Sequence, residues 1–331
     1  MNCINSFLQK SFQSLKSSIR IKLGEVSYFL VKAAKSNSYI ETLGRHADSV
    51  HEWIKSCYEE DFRMGFELQV SRAVRHLNVG CAKLAFDITT EPFWGKSRSL
   101  YIFDSYEGKY DGEFHFITVC LITRNKQIPL LALPVHLGSI TAKLAIELIE
   151  YCLGTFSKIR MVLFDRAFYC GELVDYLEAK RVRYIILVPE KKGVIAGYVN
   201  QTFELGKFRH VIRYSKDKSV WKPRTMIVVC KGLEDFPWIF ATNVNFKTRC
   251  EYIFAYKRRW QIETNFRVED EGRIKSKSVN HLIRYFYFLV SLLLHMLWIV
   301  NKNIRYYTPY KKYLDIIETE LLYILLGVEQ V

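Results

Sequence analysis

Apolar residues recur at helical spacing along the first 78 positions, where proline is absent and Ser38 and Ser49 stand where helix N-caps are expected. Within 39–57, two short helical patterns flank residues 44–48, a spacing shared by helix-turn-helix segments and by any small helical bundle. From residue 81 the period changes to that of strands. A short apolar run covers 81–89, a longer alternating one 113–123 and a third 127–135, and the connection 124–126 is of hairpin length. Helical spacing returns at 139–156; a buried strand follows at 159–164, a helix at 170–180 and a strand at 183–188. This order predicts an antiparallel meander followed by crossover units, and hence a mixed sheet flanked by helices.

The rhythm breaks over 190–245, where Pro, Gly and short β-rich runs (208–214, 225–230, 238–242) read as an insertion. From Thr248 to about Leu326 the pattern is helical again, with a break near Thr308 and Pro309. The apolar run 285–300 has sixteen residues and is interrupted by Ser291 and His295. It is shorter than the roughly 20 residues of a bilayer span and reads as a buried helix. The chain thus divides into an N-terminal helical region (1–78), the first part of a core (79–189), the insertion (190–245) and C-terminal helices (246–331).

Charge adds a partner to this picture. With 48 Lys and Arg against 34 Asp and Glu, the net charge of +14 on 331 residues suits a polyanion, either nucleic acid or an anionic membrane surface. A basic enzyme with no such partner is the plainer alternative. Between Gly206 and Lys231 there are eight basic residues and one acid, Asp217. These basic residues lie on β-rich segments and not on an amphipathic helix, which favours nucleic acid over membrane, and Lys207, Arg209 and Arg213 become candidate phosphate contacts. The eight cysteines show no C-x2-C spacing and no zinc pattern with the eight histidines. They read as reduced, mostly buried thiols of an intracellular protein, and the N-terminus has no apolar segment of signal-peptide type.

Among 34 acids, position selects a few. Asp87 closes the apolar run 84–86 and Asp165 closes 161–164. A carboxylate at a strand end is held rigidly and meets solvent on one side, and open sheets tend to place ligand sites there. If the two strands are adjacent and parallel, the aspartates stand side by side and repel each other unless a cation lies between them. The expected cation is hard: Mg²⁺ binds through one or two carboxylates and keeps several waters. Taken singly, each aspartate reads equally well as a polar strand terminator. On a helix Arg259 and Glu263 share a face, with Tyr256 one turn earlier, and Trp260, Ile262 and Phe266 mark an adjoining apolar stripe. A surface ion pair of little energetic weight has the same spacing.

Tyr256-x2-Arg259-x3-Glu263 resembles the C-terminal motif of the DDE insertion-sequence transposases defined by Tyr-x2-Arg-x3-Glu-x6-Lys. Asp87-Ile88-Thr89 resembles that family's Asp-x-Thr, and Asp165-Arg166-x-Phe168-Tyr169 its Asp-Arg strand end. The three matches follow the family's order across about 81–300, with a long β-rich interval between the second and third, and the run 91–95 is similar to an archaeal branch. The resemblance implies an α/β fold: a ribonuclease-H-like mixed five-stranded sheet flanked by helices, interrupted by the insertion and preceded by a helical domain that binds DNA ends. It implies Asp87, Asp165 and Glu263 as catalytic metal ligands for two Mg²⁺ ions, with Mn²⁺ as a substitute. It further implies DNA contacts from Tyr256, Arg259 and Arg166, and from Trp238, stacked on a flipped base, for which a packed core aromatic is an equal alternative; Arg267, Arg273, Lys275 and Lys277 stand near the position of the family's Lys and could supply its phosphate contact. The activity implied is cleavage at the ends of an element and strand transfer into target DNA through hairpin intermediates. The partners are double-stranded DNA and a second copy of the chain, with no membrane and no small-molecule substrate, in a prokaryotic cytoplasm at the nucleoid. At the family's Lys stands Asp270, which keeps two other readings open: a nuclease that cuts without joining, and an inactive DNA-binding descendant.

Overall fold

The structure is a computed structural model that describes residues 2–13, 23–44, 46–105, 108–123, 127–190, 193–213, 222–260, 268–301 and 308–326. The N-terminal region forms α1 (Asn2–Ser11), α2 (Leu23–Ser36), α3 (His46–Lys55) and α4 (Glu59–His76). Helix α2 buries Val26, Phe29, Leu30 and Ala33 at helical spacing. At the start of α4 the Asp61 carboxylate accepts the Tyr58 N–H at 3.0 Å, and Glu59 and Glu60 add negative charge to the same turn. Ser49 lies inside α3 and does not cap it. In 39–57 the first helical pattern is only a single 3-10 turn, Ile40–Thr42, and Gly44 then takes a positive φ of 122°. A turn of three residues is not the first helix of a helix-turn-helix, and the Ile40 N–H is instead bonded to the Lys275 carbonyl at 2.9 Å.

The sheet follows: β1 (Cys81–Phe93), β2 (Gly112–Ile122), β3 (Gln127–Val135), α5 (Thr141–Thr155), β4 (Lys158–Phe164), α6 (Gly171–Ala179) and β5 (Tyr184–Leu187). Strands β1, β2 and β3 form the antiparallel meander, while β4 and β5 return parallel to β1 through α5 and α6. The insertion adds α7 (Val194–Gln201), β6 (Leu205–Val211), β7 (Arg224–Cys230) and β8 (Trp238–Thr242). Here the structure departs from the expected five strands. Strand β8 pairs with β5 from Ile185↔Thr242 to Leu187↔Phe240, so the sheet has eight strands in the order β3-β2-β1-β4-β5-β8-β7-β6. Strand β1 also runs beyond 89. Its pairing with β4 ends at Phe86↔Phe164, which leaves one side open where Pro92 can be accommodated.

By the period of two, Leu84, Phe86, Val162, Phe164 and Ile186 line one face and join a core with α5, α6, the N-terminal helices and α9 (His281–Asn301). Ala85, Leu163, Ile185, Val228 and Phe240 line the other and pack on Tyr252, Ile253 and Tyr256 of α8 (Arg249–Lys257). The last helix, α10 (Tyr310–Leu325), follows Pro309. The helical pattern expected from 248 is interrupted earlier than the break near Thr308 and Pro309. Residues 273–280 form no helix, and at Gly272 an added Cβ would lie 2.6 Å from the Tyr310 ring, so the chain approaches α10 more closely than a side chain allows. Helix α9, which contains the run 285–300, is the one helix among the described residues long and apolar enough to cross a membrane, and 83% of its most apolar window is buried inside the protein. That matches a core helix.

Candidate active site and nucleic-acid interface

Phe86 and Phe164 are register partners on the parallel strands β1 and β4, with rings stacked at 4.5 Å, so the residues that follow them, Asp87 and Asp165, are neighbours. Their side chains are 20% and 30% exposed; Asp165 follows the end of β4 as expected, whereas Asp87 lies inside β1, which pairs with β2 as far as Phe93, and stands just past the last β1–β4 pair. Arg259, only 4% exposed, faces both: one guanidinium nitrogen is 3.5 Å from Asp87 Oδ1 and another 4.0 Å from Asp165 Oδ1. Burial alone would lower the pKa of Arg259, but Tyr256, Asp87 and Asp165 outweigh it and raise it. The guanidinium therefore supplies the positive charge that two adjacent carboxylates require. Arg166 is also within 4.0 Å of Asp165 Oδ1, although its side chain is largely exposed.

Arg259 reaches this place from a 3-10 turn, Arg258–Trp260, because α8 has already ended at Lys257. Its Nε donates to the Tyr256 hydroxyl at 3.1 Å. Tyr256 is fully buried against Phe240 and Trp238, and its hydroxyl holds Arg259. Glu263 and Arg267 lie outside the described residues. Asp270, at the family's Lys, pairs with Arg273 at 2.6 Å, and Arg273 also holds the fully buried Glu269. Arg273 and Arg284 both flank Glu91, which burial pushes up to about 7 in spite of them, and together they tie the far end of β1 to α9. Lys275 is exposed.

The basic insertion lies on the same face of the sheet as the aspartates. Register carries Arg209 on β6 through Met226, Thr242 and Ile185 to Leu163 and Ala85, each pair projecting to one side, and Asp87 is two residues beyond Ala85. Arg209 and Arg213 are exposed. Lys207 is committed elsewhere: its Nζ donates to Asn245 Oδ1 at 2.7 Å and to the Phe246 carbonyl at 2.5 Å, which fastens β6 to the segment leading into α8.

Beside the aspartates opens a cavity of about 480 Å³ lined by Asp165, Arg166, Arg259, Phe236, Trp238 and Trp260, among others. Trp238 is 4% exposed; its indole N–H donates to Glu234 at 3.2 Å and its ring packs on Phe240 and Trp260. The accessible rings of the cavity are Trp260, 39% exposed, and Phe236, 50% exposed. Sequence reasoning places Trp260 in a core-facing stripe and does not single out Phe236, since nothing in an apolar run tells a rim aromatic from a buried one.

The family model for the transposase DDE domain matches residues 102–295, well over half of the chain. The chain belongs to the DDE transposase domain family. The match spans Asp165 and begins after Asp87. Seven chains of known structure are similar to this DDE transposase. One is piggyBac transposase in a synaptic complex with hairpin DNA, seen by cryo-electron microscopy, with a TM-score of 0.60 and 10% identity over 93% of this chain and 74% of that one. At that identity the likeness is one of fold. No curated protein matches the transposase. Its donor chemistry suits a divalent cation of the hard kind: two carboxylates side by side where the pairing of β1 with β4 ends, with the buried, unpartnered hydroxyl of Thr118 directly across from Asp87 on β2.

Proposed function

We propose that this transposase cuts DNA at the ends of an insertion element and joins those ends to target DNA, with Asp87, Asp165 and Glu263 as its catalytic carboxylates on a ribonuclease-H-like core. The observation that carries the reading is the pairing of Asp87 and Asp165 on parallel strands with one buried guanidinium against both. These carboxylates would hold Mg²⁺, two ions with Mn²⁺ as a substitute, which when bound activates the attacking oxygen and stabilises the leaving one. The chain's own part is positional. Strands β1 and β4 fix the two carboxylates, Arg259 offsets their charge, and Arg166 offers an exposed cation to the phosphate beside Asp165. Arg209 and Arg213 extend the positive track across the same face, with Arg267 and Lys275 supplying the charge missing at Asp270.

The motif around Tyr256 and Arg259 supports the Tyr-Arg-Glu-Lys type, of which the run 91–95 favours an archaeal branch. In this reading second-strand cleavage passes through a hairpin, and the unstacked base enters the cavity beside Asp165, where Trp260 and Phe236 offer open ring faces. Residues 1–78 bind the element ends, 79–189 and 246–331 form the catalytic core around the insertion 190–245, and two copies act together on DNA at the nucleoid.

A donor–target assay with DNA carrying the element's own ends tests this function. Joined donor–target product supports a transposase; cleavage that stops at hydrolysis makes the chain a nuclease. The second reading, an inactive DNA-binding descendant, is favoured by Asp270 and its inward pairing with Arg273; DNA binding with neither cleavage nor joining would establish it.

A further inference from the structure

A second group of cations stands on the aspartates' face, toward the opposite end of the strands. Lys83 is four residues before Asp87 on β1, so it projects to the same side, about 13 Å away at ~3.3 Å per residue. Beside it the β1–β4 register slips: Ala82 pairs with Ile159 and Lys83 with Met161, which leaves Arg160 as the extra residue of a bulge. Bulges re-aim side chains, and Arg160 is exposed. Arg258, also exposed, is brought over the same row of the sheet by its carbonyl, which accepts from Gln127 Nε2 at 2.9 Å. Gln127 opens β3 opposite Ile122, the residue of β2 next to Leu121, the partner of Leu84.

Among the described residues no carboxylate pairs with any of these three side chains. The Lys83 ammonium is half-buried, and its pKa is lowered first by that burial and then by the charges of Arg258 and Arg160. Three converging cations repel one another, and an anion bound among them removes the repulsion.

We infer that Lys83, Arg160 and Arg258 form a phosphate-binding cluster that grips the duplex backbone beside the cleavage site. The inference rests on the DNA-cutting reading above. The separation from Asp87 equals about four base pairs at ~3.4 Å each, so a duplex whose cut phosphate lies at the aspartates reaches the cluster with its flank. The insertion's arginines would then hold the DNA on one side of the site and this cluster on the other.

The test is binding of a random-sequence duplex by the full chain as salt is raised, comparing the unaltered protein with K83Q/R160Q/R258Q. The slope of log affinity against log salt should fall by about 0.9 for each phosphate that is no longer neutralised, up to about 2.7 for the triple variant. Its melting temperature should be unchanged or higher, because like charges have been removed. If the triple variant does not fold, R160Q alone, at an exposed bulge, should lower the slope by about 0.9. Slopes equal to that of a DNA-binding unaltered chain overturn the cluster and leave the proposed function standing. Failure of the unaltered chain to bind DNA at any salt overturns both.

Discussion

Arg259 is the residue on which the site's electrostatics turn, because its one guanidinium faces two carboxylates and also holds the Tyr256 hydroxyl. Arg259→Gln removes that charge and leaves Asp87 and Asp165 to repel each other. Added Mg²⁺ should then raise the variant's melting temperature more than that of the unaltered chain; a cation binding only the folded state stabilises by about 2.7 kcal/mol at a hundredfold excess over its Kd. Equal shifts in the two proteins would place the cation elsewhere. The two tryptophans separate in the same way. Trp238→Ala empties a packed site and should cost about 3–5 kcal/mol, with nicking and hairpin formation failing together. Trp260→Ala should leave melting nearly unchanged and slow hairpin formation by about one to two orders of magnitude, from the roughly 1–3 kcal/mol of base stacking. Equal effects of the two substitutions on both steps and on melting would remove the cavity's role. The adjacency of Asp87 and Asp165 could be anticipated because each follows an apolar run; that β1 continues past Asp87 to Phe93 could not, since Thr89, Thr90, Glu91 and Pro92 break the apolar pattern. The sequence left the burial of Trp238 open, because 238–241 is apolar throughout and gives no alternation from which to choose a face.

At the scale of elements, β6 and α9 carry separate expectations. Arg209 and Arg213 are exposed near the edge of the sheet, and neutralising both with Gln should lower the salt slope of DNA binding by up to about 1.8 at ~0.9 per phosphate. Lys207→Gln should change that slope little and lower stability instead, because its ammonium already holds Asn245 and Phe246. A slope reduced by Lys207→Gln as much as by Arg209→Gln would return Lys207 to the phosphate track. On α9, His295 is buried with no acid to pair with among the described residues, and burial lowers its pKa from 6.5 to about 3. A histidine held neutral by the fold contributes stability that is present above its unfolded pKa and is lost as pH falls toward the folded value. The unaltered chain should lose up to ~5 kcal/mol from this group between pH 6.5 and 3, and His295→Leu should flatten that part of the profile. Denaturant melts at several pH values check it, and parallel profiles for the two proteins would refute it. Strand and helix order through residue 188 followed from periodicity alone. The break at 271–280 did not, because it arises from the close approach of Gly272 to α10 and the backbone contact of Lys275 with Ile40, which lie far apart in sequence.

For the whole molecule, the insertion extends the sheet to eight strands and sets its basic edge on the same face as the aspartates. The net charge of +14 announced a polyanionic partner without saying where it would lie; register supplies the place, along one face from Lys83 past Asp87 to Arg209. The family match begins after Asp87, so the first aspartate joins the second through the parallel pairing of β1 with β4. The proposed chemistry depends on that adjacency. Its most direct test is strand nicking of DNA bearing the element's ends, with Mg²⁺ and with a chelator, by the unaltered chain, Asp87→Asn and Asp165→Asn. The unaltered chain should nick the DNA and the chelator should abolish that nicking, while neither variant should nick although both bind the DNA as tightly. Nicking by either variant at the unaltered rate in Mg²⁺ would contradict it.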